Sequence, residues 1–178
     1  MSMIRQKLLA LVRLSRAYFL FMPVIPYFLG VGLASEPLNS RIMIGGLGIQ
    51  MLVQLSISYL NDYHDIETDR LNQNRTLLSG GSGELTRGIL PPYAAFVTGC
   101  ILQVIAVVCA WRLGIAAADW LILGIAIFMA HFYTAPPLKL VYRGLGEFAV
   151  GVTAAILVPA WGYSLQRESL SWDIVRVG

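Results

Sequence analysis

A chain of 178 residues that is 57% hydrophobic, only 13% charged and +0.67 in mean hydropathy is far more apolar than a soluble domain, where charged residues make up about a quarter of the total. This composition excludes an ordinary soluble enzyme, and a formal net charge of +3 is too small to suggest nucleic-acid binding. Cys100 and Cys109 lie nine residues apart in one apolar segment, on opposite sides of a helix, so neither a disulfide framework nor a C-x-x-C metal or redox motif is available.

Residues 1–16 combine Leu and Val with Arg5, Lys7, Arg13 and Arg16 and contain no acid, which predicts a short helix lying in the membrane interface. Ala17 to Ala34 is the first apolar run. Its basic leader imitates a secretory signal, but the run is long, Pro23 and Pro26 break it and further spans follow, so it reads as a span. Ile42 to Leu60 is the second span, and Gln50 and Gln54, one turn apart, give it a polar stripe that should face the bundle interior. A long polar connection, 61–92, holds the acidic stretch NDYHDIETD, Arg70, Arg75, the glycine-rich Ser79 to Gly83 and Arg87. Its glycines free backbone N–H groups to approach an anion. Tyr93 to Trp111 and Ile115 to Tyr133 are the third and fourth spans. A second polar connection, 134–144, carries Pro136, Pro137, Lys139 and Arg143, and Leu145 to Tyr163 is the fifth span. The expected fold is all-α, a polytopic membrane bundle of about five helices in a single domain over 1–178.

With the amino end inside, the inner segments hold nine of the 13 Lys and Arg residues. The positive-inside rule then places the amino terminus and both polar connections in the cytoplasm, with the protein in the cell membrane.

The stretch Asn61 to Asp69 is the anomaly. Of ten acids in the chain, Asp62, Asp65, Glu67 and Asp69 fall within eight residues beside a bilayer span, where unpaired charge is costly. On a continuing helix Asn61, Asp65, Asp69 and Asp62 fall at about 0°, 40°, 80° and 100°, one face that also continues the Gln stripe. Three carboxylates and an amide are hard oxygen ligands that suit Mg²⁺ bridged to a phosphorylated substrate. The competing reading, a solvated helix end whose acids cap or pair with Arg70 and Arg75, leaves the shared face unexplained. Arg70, Arg75, Lys139 and Arg143 serve as membrane anchors singly, but together they suit a diphosphate and its departure. Tyr63, Tyr133 and Tyr142 suit interface anchoring, or an aromatic face toward a developing cation. His64 faces away from the acids and His131 lies on an apolar stretch; neither is given a role.

NDYHDIETD fits N-D-x-x-D-x-x-x-D and resembles the first Asp-rich motif of the UbiA-type intramembrane aromatic prenyltransferases, with Arg75 following where those enzymes often have an arginine. The stretches SGGSG and YTAPPLKLVYRGLGE look most like the branch that prenylates 1,4-dihydroxy-2-naphthoate in menaquinone synthesis. The resemblance, at this point a likeness of motif and fold, implies the amino-terminal half of a bundle of roughly nine helices and Mg²⁺-dependent transfer of a polyprenyl group from its diphosphate to an aromatic acceptor. It implies Asn61, Asp62, Asp65 and Asp69 as metal ligands. Asp62, Asp65 and Lys139 would be catalytic, and Arg75, Lys139, Arg143 and Tyr133 would bind the prenyl diphosphate.

The chain departs from the family in having no second Asp-rich motif. Three readings follow: a truncated reading frame, favoured because Ser164 to Gly178 breaks off where another span should begin; a site completed by a second polypeptide; or a chain inactive alone. A non-catalytic membrane protein that binds prenyl diphosphate or a partner subunit is the alternative from another class. A CDP-alcohol phosphotransferase fits poorly, because Ile66 stands where that pattern needs glycine.

Overall fold

The computed structural model describes residues 2–34, 37–72, 76 and 81–167. The described residues are helices joined by turns. An amphipathic helix α1 (Met3–Leu14) starts on Ser2, whose hydroxyl accepts from the Arg5 N–H. The chain then turns at Arg16, which adopts the left-handed region (φ 46°), and passes through a 3₁₀ turn, Ala17–Phe21, into α2 (Val24–Leu33). The first expected span is therefore not one straight helix: the segment before Pro23 and α2 meet at 41°. Pro23 has no N–H to give to a preceding turn, whereas Pro26 sits in the first turn of α2, where no donor is needed.

The second expected span is α3 (Ser40–His64), 25 residues capped by the Asn39 side chain on the Ile42 N–H at 3.2 Å. It continues past Leu60, so Asn61 and Asp62 are helical. At Asp65 (φ −96°, ψ 3°) the backbone leaves the helix and restarts as the short α4 (Ile66–Leu71). The third is α5 (Pro92–Leu113), opened by Pro92 and closed by Gly114 at φ 74°. The fourth, α6 (Ala117–Phe132), has 16 residues, about 24 Å, which is short against a hydrocarbon core of about 30 Å. After a cis Pro136–Pro137 bond and a 3₁₀ turn, Leu140–Arg143, the fifth is built from α7 (Gly146–Val152), a π turn (Thr153–Leu157) and α8 (Val158–Arg167). Pro159 has no N–H for the carbonyl four residues back and crowds it, and the widened turn accommodates this. Among the described residues three helices, Ser40–His64, Pro92–Leu113 and Gly146–Arg167, are long and apolar enough to cross a membrane, and the bent pair at the amino end makes a fourth candidate. The result is a helical membrane bundle.

Helix α3 is the axis of the packing. It lies along α5 and also touches α6 and α8, while α2 crosses α8. That crossing is tight because it is made on glycine: a Cβ on Gly30 would overlap the Pro159 carbonyl, and one on Gly162 would overlap the Tyr27 carbonyl. Buried polar side chains tie the helices together where water is absent. The Tyr27 hydroxyl donates to the Met43 carbonyl (2.7 Å), the Gln103 amide to Ser56 Oγ (3.3 Å) and the Trp161 indole N–H to the Gly46 carbonyl (3.0 Å). Trp161→Phe keeps most of the packing and removes that last bond. It is expected to cost about 1 kcal/mol and to lower the melting temperature in detergent without loss of helicity by circular dichroism. The outward faces of α5 and α7, with Val97, Ile101, Val104, Phe148 and Val150 exposed, are apolar surfaces for lipid.

Candidate active site

The carboxyl ends of α3 and α6 and the chain from the 3₁₀ turn Leu140–Arg143 through α7 and the π turn surround a cavity of about 560 Å³. Its mouth is polar and holds Asn61, Asp62, Asp65, Asp69 and Arg16; its depth is apolar, lined by Ile49, Val53, Leu123, Ala126 and Leu157. Gln50 and Gln54 also line it, so the polar stripe of α3 does face inward and leads to the acids.

Each acid is held differently. Asp62 is 2% exposed; its Oδ2 accepts from both the backbone N–H (3.0 Å) and the hydroxyl of Ser82, and its Oδ1 lies 4.0 Å from Arg16 Nη1. Asp65, at the helix break, accepts a 2.5 Å bond from the Tyr142 hydroxyl, which also lies 2.9 Å from Thr68 Oγ1. Burial holds the Asp65 carboxyl above the usual carboxylate range; the Tyr142 bond and the charges of Lys139 and Arg16 pull it back, while Asp62 pushes it up. Tyr142 is itself raised, by burial and by its bond to Asp65. Asp69 is buried against Gly81, which has φ +66° and whose missing Cβ would overlap the Asp69 carboxylate. Asn61 Oδ1 accepts from the Thr134 hydroxyl at 3.1 Å.

The structure thus brings together Asn61, Asp62, Asp65, Asp69 and Tyr133 around one cavity. Two of the expected cations lie outside the cavity lining, although the charge of Lys139 still reaches Asp65. Lys139, in the left-handed region at φ 45°, lies with Nζ 5.7 Å from the Tyr142 ring centroid and is not part of the cavity lining. Arg143 is exposed and donates to the Pro137 carbonyl (2.9 Å), also outside the lining. Arg75 lies outside the described residues, as do part of the glycine-rich stretch and 168–178.

Sequence reading missed Arg16, Ser82, Thr68, Tyr142 as an Asp65 partner, and Thr134. Arg16 was legible only as a member of a basic leader, yet its guanidinium reaches the cavity, over the Phe19 ring at 4.5 Å. Ser82 shows that the described end of the glycine-rich loop spends its N–H on the anion Asp62. Its neighbour Glu84, 2% exposed, accepts from Arg87 Nη1 at 2.8 Å and lies 3.7 Å from Arg13 Nη1, so this loop is fastened to α1 while it grips Asp62.

These oxygens suit a hard cation in a particular way. Among the described residues no three acid, His or Cys side chains converge closely enough to enclose a metal by themselves. Mg²⁺ does not need such a cage, since it is typically held by one or two carboxylates with water and substrate phosphates completing the octahedron. Buried carboxylates at the mouth of an apolar cavity, one of them seated in a cradle that a Cβ would fill, therefore fit a cation shared with a bound phosphate group.

The fold and site together define a membrane-embedded helical protein with an acid-lined cavity. A sequence model of the UbiA prenyltransferase family matches residues 23–177, and the chain belongs to that family. It is also 40% identical over 68 residues to a 2-carboxy-1,4-naphthoquinone phytyltransferase of Synechocystis sp., a stretch covering 36% of this chain and 21% of that relative.

Proposed function

We infer that the chain carries the diphosphate half of a prenyl-transfer site, moving a polyprenyl group from its diphosphate to an aromatic acceptor of the 1,4-dihydroxy-2-naphthoate type. The observation that carries this reading is the division of one cavity into an acidic mouth beside Arg16 and an apolar depth, which matches a charged head on a hydrocarbon chain. The naphthoquinone named in the relative supports the choice of acceptor.

In this reading Asn61, Asp62, Asp65 and Asp69 hold Mg²⁺ together with the diphosphate; when bound, the cation neutralises the leaving group's charge. Arg16 at the mouth adds positive charge where the allylic C–O bond breaks, Lys139 acts from outside the lining through its charge on Asp65, and Arg75 and Arg143 keep the diphosphate-binding role that the family resemblance implies for them. The electron pair leaves with the diphosphate, an electron-rich ring carbon attacks the allylic cation, and that carbon then releases the group it carried, a proton or, at the carboxylated position, carbon dioxide, so that the ring regains its aromaticity. The apolar wall keeps water from that cation, and the Tyr133 ring offers a π face to it. The distribution of Lys and Arg supports a cytoplasmic mouth in the cell membrane.

The test is incubation of the purified chain in nanodiscs with Mg²⁺, geranylgeranyl diphosphate and 1,4-dihydroxy-2-naphthoate, with products read by mass spectrometry. Mg²⁺-dependent prenylated product is expected. Tight diphosphate binding with no product overturns transfer by this chain and favours a non-catalytic binding protein.

Tyr142→Phe supplies a second check. The tyrosine's bond stabilises the ionised form of Asp65, so removing it lets Asp65 keep its proton to higher pH. Ligand uptake that needs the carboxylate should then reach half of its maximum at a higher pH than in the parent protein. A profile that stays in place, or moves to lower pH, contradicts the role given to Asp65.

A further inference from the structure

At the other end of the bundle a groove of about 410 Å³ runs between α3 and α5. Gly45, Gly48 and Leu52 of α3 and Val108 of α5 line it, together with Arg41 in the first turn of α3 and Arg112 in the last turn of α5. From Arg41 to Leu52 the helix advances about 16 Å, a length that suits most of one acyl chain. The groove is open at Gly48, where a Cβ would meet no atom within 4 Å, whereas the Leu113 side chain already covers Gly45, 2.9 Å from where its Cβ would lie.

The charges at its end are as informative as its shape. Among the described residues no carboxylate lies within 4.0 Å of either guanidinium. Arg112 instead lies with Cζ 5.5 Å from the ring centroid of Trp111, which is 68% exposed. Indole rings favour the headgroup level of a bilayer, and arginine guanidinium groups pair well with phosphate oxygens. A basic partner helix would meet repulsion here, and an uncharged one would leave both cations unmatched. We propose that this groove binds one anionic phospholipid, with its phosphate between Arg41 and Arg112 and an acyl chain passing Leu113 to lie along Gly48 and Leu52.

The test uses the full chain in phosphatidylcholine nanodiscs that carry a minor fraction of phosphatidylglycerol, with lipids retained after mild extraction counted by native mass spectrometry. Phosphatidylglycerol should be retained at least tenfold over phosphatidylcholine, and excess inorganic phosphate should not displace it. Gly48→Leu fills the groove with a better helix former, and R41Q/R112Q discharges its end while leaving its shape. Each should abolish the preference, with melting in pure phosphatidylcholine unchanged. Because the two variants change the site in independent ways, a fold defect in one leaves the other decisive. Equal retention of the two lipids overturns the proposal, as does a preference that survives R41Q/R112Q. Displacement by inorganic phosphate, or a dimer of the chain that Gly48→Leu disperses, also overturns it.

Discussion

Asp62→Asn should weaken Mg²⁺-dependent binding of prenyl diphosphate by roughly 100-fold, the scale expected when one preorganised charged group is removed from a water-poor site. Asn has nearly the same shape and still offers an oxygen to the Ser82 N–H and hydroxyl, so the loop contact persists while the charge is lost. The Arg16 guanidinium, 4.0 Å away, then faces a neutral amide. Helicity and melting temperature report the fold separately from the ligand. Binding that is unchanged in the folded variant removes Asp62 from the site.

Gly81→Ala should act through Asp69. A non-glycine residue at φ +66° costs about 1–2 kcal/mol, and here the new Cβ also overlaps the carboxylate it faces. The expected outcome is a lowered melting temperature together with at least a tenfold loss of prenyl diphosphate binding. Gly88→Ala separates the two effects: Gly88 has φ +70° but nothing within 4 Å of its Cβ position. It should share the stability loss and leave ligand binding intact. If Gly88→Ala weakens binding as much as Gly81→Ala, loop strain rather than the seat of Asp69 is responsible.

Much of the bundle was legible because its physics is local. Apolar runs must be helical in lipid, Pro23 and Pro26 marked the bend, and the shared face of Gln50, Gln54, Asn61 and Asp62 follows from helical spacing. Asp65 was placed on that face correctly, but its helix break was not foreseen, because no glycine or proline marks it. The shortness of α6 also escaped a hydropathy reading, which sees apolar length rather than where the helix ends. The site's partners were hidden for another reason: Tyr142 meets Asp65 across 77 positions, Thr134 meets Asn61 across 73, and Arg16 reaches Asp62 across a turn made by a non-glycine residue in the left-handed region. Spacing rules describe one helix at a time, and these contacts depend on how helices meet. Lys139 and Arg143 were placed near the acids in sequence logic, yet their local turns carry both outside the cavity lining.

The most direct measurement of the central claim is calorimetric titration of geranylgeranyl diphosphate into the nanodisc-embedded protein with Mg²⁺ and with a chelator, with geranylgeraniol as a ligand lacking the charged head. The account predicts binding that requires both Mg²⁺ and the diphosphate and that is lost in the Asp62→Asn, Asp65→Asn double variant. Equal affinity with the chelator, or for geranylgeraniol, would mean that the cavity recognises only the hydrocarbon and would contradict it.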